Sequence, residues 1–306
     1  MGLPKTICRT QRRALLDEIY APLNQFKKKS KEWYELFNSG KVWKDYYHPF
    51  EWRTKDYEYQ EKNIHHLKEI DNLRTKIPTM KSTLQNMIVN FSQKSCAIEG
   101  NTLELSESQE IWDRLRNYDL DALLIHEKFP LPSSISSSDK PEEEIIEIRN
   151  QLLATYFIYN KSNKEINIEG IKKTHRITLK DTLMENFCPK KCSKSRKISN
   201  NEIPKLMDEF INFHDESKNI DIHPIMISCR LHASLAHIHP FYDGNGRVSR
   251  LIMAKYLIRN GYLPAIFHQV KREDYIDSLR KTQKEKDASM LYDIVISEIL
   301  SSYKEE

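Results

Sequence analysis

Glycine is scarce in this chain of 306 residues, with 7 in all, and its 5 cysteines form no evident framework. So little glycine argues against a turn-rich β protein, because tight hairpins draw on residues that tolerate positive φ. An odd, scattered cysteine set fits a reducing compartment better than a disulfide-stapled fold. Cys188 and Cys192 make one C-x3-C pair, but no second Cys or His pair stands at ligand spacing, so structural zinc is not expected. No apolar run approaches the roughly 18 residues of a membrane span. The first residues lack the apolar core of a secretory signal, which points to a cytoplasmic or nuclear location. Gly2 to Thr6 satisfies a loose myristoylation pattern with Pro4 as an odd member, and one acyl chain would anchor only marginally.

An excess of one charge is missing too. Lys and Arg number 48 against 44 Asp and Glu, a net +4. With both signs mixed along the chain there is no nucleic-acid footprint. Neither G-x-x-x-x-G-K-[S/T] nor H-E-x-x-H occurs, which argues against a P-loop NTPase and a zinc protease helix.

What remains is 39% hydrophobic and 30% charged residues, a composition that favours helices. The fold expected is predominantly all-α. Residues 1–78 read as an N-terminal helical extension without recognisable chemistry, despite Trp33, Trp43, Trp52 and the run Lys27-Lys28-Lys29-Ser30-Lys31. From Thr79 to Glu99 the stripe Leu84, Ile88, Phe91, Ser95 and Ile98 traces one helical face. Gly100 then stands where a helix end calls for positive φ. Ser106-Glu107-Ser108-Gln109 reads as a capping box opening another helix. Pro130 to Pro141 reads as a loop. Ile145, Ile148, Leu152 and Tyr156 mark a further helix, and others are expected over Ile168–Leu179, from Ile203, and from Pro224. Cys188 to Asn200 reads as an exposed loop or short hairpin.

The chemistry is concentrated between His239 and Arg250. Gly244 and Gly246 lie in a turn that runs into an apolar helix with Leu251, Ala254, Leu257 and Ile258 on one face. Such a turn offers free backbone N–H groups and a positive dipole end, which suits phosphate. Arg247 and Arg250, three apart, can grip phosphate oxygens as forks. Asp243 is a hard oxygen ligand for Mg²⁺ on those phosphates. His239 is suited to act as general base toward a hydroxyl. Each piece alone also fits an ordinary turn, a core histidine or a surface ion pair. A nucleotide-binding module without catalysis, or a metal hydrolase built on His232, His237 and His239, are the other classes these residues allow.

The order of these residues, H-P-F-Y-D-G-N-G-R-V-S-R, resembles the Fic-family signature H-P-F-x-[D/N]-G-N-G-R-x-x-R at every specified position. Ile171 to His175 and Arg272-Glu273-Asp274-Tyr275 resemble flanking family segments. The similarity covers about residues 80 to 300, giving a Fic-type helical domain over 79–306 with a short β-hairpin flap near Cys188 to Ser199. The resemblance implies a protein adenylyltransferase that moves AMP from ATP, with Mg²⁺ or Mn²⁺, to Ser, Thr or Tyr hydroxyls of target proteins. His239 would be the base, and Pro240 and Phe241 would shape the motif. Asp243 would hold the metal. Gly244, Asn245, Gly246, Arg247, Ser249, Arg250 and Tyr275 would contact the nucleotide, and glycine at position 246 favours AMP transfer over kinase-like chemistry. The basic flap segment and Gln283, where relatives carry asparagine, depart from the family pattern.

Ser95-Cys96-Ala97-Ile98-Glu99-Gly100-Asn101 resembles the family's inhibitory motif [S/T]-x-x-x-E-[G/N]. An inhibitory helix over about 79–100 would set Glu99 against Arg250. Ser95, Gly100 and Asn101 complete that motif. The alternative use of the same site is removal of AMP, with Glu99 positioning water. Self-modification and a homodimer are compatible with the resemblance.

Overall fold

The computed structural model describes residues 25–27, 30–38, 53–77, 79–160, 165–185, 202–268 and 270–305. Gly2, Cys8, Trp43, Trp52, Lys28, Lys29, Cys188, Cys192 and the expected flap lie outside them. Among the described residues every regular element is a helix, as the composition suggested. The chain divides into two compact units, residues 1–54 and 55–306.

In the first unit, α1 (Lys31–Asn38) opens where the Trp33 N–H donates to Ser30 Oγ at 3.1 Å, a serine acting as N-terminal cap. The second unit takes in most of α2 (Arg53–Lys62) and all of α3 (Ile64–Arg74). These helices are tied to distant parts of the same unit by paired polar side chains. Tyr59 donates to Asp293 at 2.5 Å, Tyr292 donates to Asp56 at 2.9 Å, and Arg230 pairs with Asp56.

Next comes α4 (Met80–Ile98), whose stripe Leu84, Ile88, Phe91, Ser95 and Ile98 is buried. It ends as the pattern required: Gly100 has φ 98°, the left-handed geometry of a helix stop. α5 (Leu105–Leu115) starts two residues earlier than the Ser106 reading. Glu104 is the cap, and its N–H donates to Glu107 at 2.8 Å. Glu107 therefore serves the residue three before it, and Ser106 falls inside the helix. After α6 (Leu120–His126), the segment read as a plain loop contains a short helix, α7 (Pro132–Ile135). Pro132 stands where a helix N-terminus tolerates proline, and Ile135 is fully buried, so the turn is held by its apolar side chain.

The centre of the unit is built from α8 (Glu142–Asn160), α9 (Ile168–Leu179), α10 (Glu202–Ser217), α11 (Pro224–Ile238) and α12 (Asn245–Arg259). α12 packs on α11, α8, α9 and α4. From Arg247 to Ile258 every one of its side chains is buried, so it is a core helix on all sides, not the one-faced helix its apolar residues suggest. α13 (Arg272–Lys284) and α14 (Ser289–Glu305) close the unit against α11. No helix among the described residues is long and apolar enough to cross a membrane.

Candidate active site

The site begins where α11 stops. His239 is its C-cap, with φ 52° and ψ 55°, and its N–H donates to the Leu235 carbonyl at 3.2 Å. A histidine in left-handed geometry is uncommon and costs energy. Here it turns the chain away from α11 so that residues 240–244 can reach α12. Pro240 behind it is buried.

Side chains then brace this turn from within. Asn245 Oδ1 accepts the Phe241 N–H at 2.9 Å and its Nδ2 donates to the Phe241 carbonyl at 2.9 Å. The Phe241 ring stacks on His175 with centroids 3.7 Å apart and planes 9° from parallel. His175 Nε2 lies 3.1 Å from the Asp243 carbonyl oxygen. Burial pushes the His175 pKa down to about 4, so the stacked ring is neutral near pH 7 and its Nε2–H donates to that carbonyl. The Gly244 N–H donates to Asp243 Oδ1 at 2.7 Å. Gly244 has φ 75°, and a β-carbon there would approach Leu179 at 3.4 Å. A residue with a side chain would be strained by the backbone and crowded by α9.

The turn ends at the N-terminus of α12. Val248 makes the first intrahelical bond, to the Gly244 carbonyl at 2.9 Å. The N–H groups of Asn245, Gly246 and Arg247 are thus those that helix geometry leaves for an anion. The other oxygen of Asp243, Oδ2, lies 3.6 Å from Arg247 Nη2. One exposed-edge carboxylate beside an anion site suits Mg²⁺, which takes one or two carboxylates and fills its shell with phosphate oxygens and water.

A carboxylate from α4 reaches this anion site. Glu99 Oε1 accepts from Arg250 Nη2 at 2.8 Å. A β-carbon on Gly246 would collide with the same Glu99 oxygen and come within 3.3 Å of Arg250 Nη1. Three further hydrogen bonds hold Arg250, itself 1% exposed. Nε donates to Ser95 Oγ at 2.9 Å, Nη2 to the Ser95 carbonyl at 2.8 Å, and Nη1 to Tyr275 Oη at 3.2 Å. The contact with Glu99 is thus through one oxygen, and Ser95 and Tyr275 hold the rest of the fork. Tyr275 in turn bonds His232 Nε2 at 2.8 Å. Burial pushes the His232 pKa down to about 3, so the ring accepts the phenol proton.

The other arginine has its own carboxylate, which the sequence reading did not identify. Arg247 Nη1 lies 2.9 Å from Glu147 Oε1 on α8. Glu147 is separated from Arg247 by a hundred residues, and nothing in the local pattern marks it. Arg272, on α13, was read only as part of a flanking segment. Its Nε donates to the Ile98 carbonyl at 2.7 Å, which caps the end of α4.

The structure brings His239, Asp243, Gly244, Asn245, Gly246, Arg247, Arg250, Ser95 and Glu99 into one neighbourhood. Two residues read as nucleotide contacts are buried. Ser249 is fully buried, its hydroxyl donating to the Gly246 carbonyl at 2.9 Å. Tyr275 is 2% exposed beneath Arg250. Gln283 is buried, with Nε2 facing no acceptor.

Residues 141–257 match the model of the Fic/DOC family. A "Protein adenylyltransferase Fic" of Culex quinquefasciatus is 29% identical over 217 residues, covering 66% of this chain and 38% of that protein. One from Drosophila mojavensis is 40% identical over 75 residues, covering 24% and 15%. The chain thus spans well under half the length of the curated relatives it matches. In fold it is similar to Fic-1 from C. elegans, with a TM-score of 0.63 at 18% identity over 97% of this chain and 83% of that one. A Fic domain containing signaling protein of Bacteroides thetaiotaomicron gives a TM-score of 0.56 at 19% identity, over 78% and 91%.

Proposed function

Because the chain carries a Fic/DOC-family domain, we propose that it is a protein adenylyltransferase held in check by its own Glu99. The observation that carries this reading is the Glu99 carboxylate on Arg250, against Gly246, at the N-terminus of α12. An anion from the chain itself sits where phosphate oxygens would bind.

In the reaction a target Ser, Thr or Tyr hydroxyl attacks the α-phosphorus of ATP. The oxygen–phosphorus bond to the target forms as the bond to pyrophosphate breaks. His239 takes the hydroxyl proton, a role that contributes about 10²–10⁴-fold in rate. The amides at the start of α12 meet the charge that develops on phosphate oxygens, and Arg247 and Arg250 hold the outer phosphates in line. Asp243 would hold Mg²⁺, whose charge neutralises the phosphate oxygens. Asn245 and the His175–Phe241 stack keep the turn rigid, and such positioning is most of the work in phosphoryl chemistry.

Glu99 opposes this in two ways. It engages Arg250, and its negative charge repels the γ-phosphate from the same place. Purified wild type, Glu99→Gly and Glu99→Gly/His239→Ala proteins incubated with Mg²⁺ and ATP test the reading by intact mass. AMP should appear on the protein itself or on lysate proteins with Glu99→Gly, and far less with the other two. Equal labelling by wild type and Glu99→Gly would remove the restraint from the reading, and labelling that survives His239→Ala would remove the base.

A further inference from the structure

The two phosphate-binding arginines are each paired with a carboxylate, and the second carboxylate does more than neutralise. Glu147 uses both oxygens: Oε1 bonds Arg247 Nη1 at 2.9 Å, and Oε2 accepts from Asn101 Nδ2 at 2.8 Å. Asn101 is 7% exposed and lies two residues beyond Glu99. One turn earlier on α8, Glu144 grips the same segment. Its carbonyl accepts from Asn101 Nδ2 at 3.0 Å, and its Oε2 accepts from the Thr102 N–H at 2.6 Å and from Thr102 Oγ1 at 2.8 Å. The segment that leaves α4, carrying Glu99, is thus fastened to α8 by two glutamates three residues apart.

We propose that Glu147 is a positioning residue that couples nucleotide binding to the release of Glu99, an inference that rests on the adenylyltransferase reading above. Arg247 is 4% exposed and Glu147 is its nearest anion. Arg247 Nη1 is the donor Glu147 occupies; a phosphate oxygen that takes it displaces Glu147, and the carboxylate left behind loses its strongest partner. That carboxylate also holds Asn101, so its rearrangement disturbs the mooring of the residues that place Glu99 on Arg250. A nucleotide gripping Arg247 and a relaxed Glu99 therefore favour each other. By reciprocity, loosening Glu99 strengthens nucleotide binding through the same route.

The test measures the Kd of ATP with Mg²⁺ by calorimetry, on the full chain with His239→Ala to prevent turnover. Glu147→Gln removes the charge that competes for Arg247 but can still accept from Asn101. It should tighten ATP by about tenfold, the scale of one charge-assisted hydrogen bond. Asn101→Ala should tighten ATP by about threefold when Glu99 is present and by nothing in the Glu99→Gly background, because its influence runs through Glu99. A residue with a merely structural role would lower the melting temperature and leave the Kd unchanged or weaker. Unchanged or weaker ATP binding by a folded Glu147→Gln protein overturns the proposal. Should Glu147→Gln not fold, Asn101→Ala decides, and an equal shift with and without Glu99 overturns it. The adenylyltransferase reading fails separately, through an inactive Glu99→Gly protein, whatever the two Kd shifts prove to be.

Discussion

The turn from His239 to Arg247 and the bracket around Glu99 differ in how each is held. The turn is braced by neighbours in sequence: Asn245 ties back to Phe241 and Asp243 caps Gly244. Its outside support is chiefly the His175 stack. The bracket is held across the chain, by Arg250 against Ser95 and Glu99 and by Glu144 and Glu147 against Asn101 and Thr102. A locally braced turn can stay fixed while substrates come and go. A bracket made of polar contacts between α4, α8 and α12 can open without unfolding the core that carries it. The turn and the bracket can therefore move independently of each other.

The largest effect expected from breaking the turn is chemical. In the Glu99→Gly background, His239→Ala should lower the rate of AMP transfer by about 10²–10⁴-fold, read as initial rates of labelling at saturating ATP. Breaking the bracket should act in the other direction. Glu99→Gly should raise transfer over wild type by about 10–100-fold, the worth of one charge-assisted contact of ~1.5–3 kcal/mol. Asn245→Ala deletes the two bonds that close the turn, at a cost of about 1–3 kcal/mol. At roughly 2–4 °C per kcal/mol for a unit of this size, its melting temperature should fall by several degrees, with Glu99 present or absent. A fall seen only with Glu99 present would mean that the turn leans on the bracket and is not braced by itself.

The smallest effect concerns pH. His175 is held at about 4 in the folded protein against an ordinary value of 6.5, with burial as the main cause. The unfolded chain therefore binds the proton more readily between those values. The stability His175 lends is fully present above pH 6.5 and is lost as pH falls through about 4. His175→Phe keeps a stacked ring on Phe241 and removes the titration. The decline of melting temperature between pH 6.5 and 4 should be shallower in that variant, and still visible because other buried histidines titrate. An unchanged decline would show that His175 is not part of it.

Most of the helical frame was legible because the cues were periodic or punctuated. The stripe from Leu84 to Ile98, Gly100 after it and Pro224 at a helix start all pointed to elements that are present. Misreadings came from local chemistry with two solutions. Ser106 and Glu104 could each cap α5, and the Glu107 side chain decided for Glu104. Pro132 could mark a loop or a first helical turn, and the burial of Ile135 decided. In the site, the family resemblance sets Glu99 against Arg250, and the two side chains lie 2.8 Å apart.

By itself the sequence determined the ingredients: a helical chain, a phosphate-suited turn, a histidine suited to act as base, a metal-suited carboxylate and a second carboxylate at the end of an earlier helix. These follow from residue types at fixed spacing, because short-range hydrogen bonds and helix geometry act within a few residues. Only the tertiary structure decided what each charge answers to. Glu147 on Arg247 and Tyr275 under Arg250 depend on where α8 and α13 place their side chains against α12. A charge-assisted hydrogen bond needs its partners at about 3 Å, and that distance is set by packing between helices far apart in the chain.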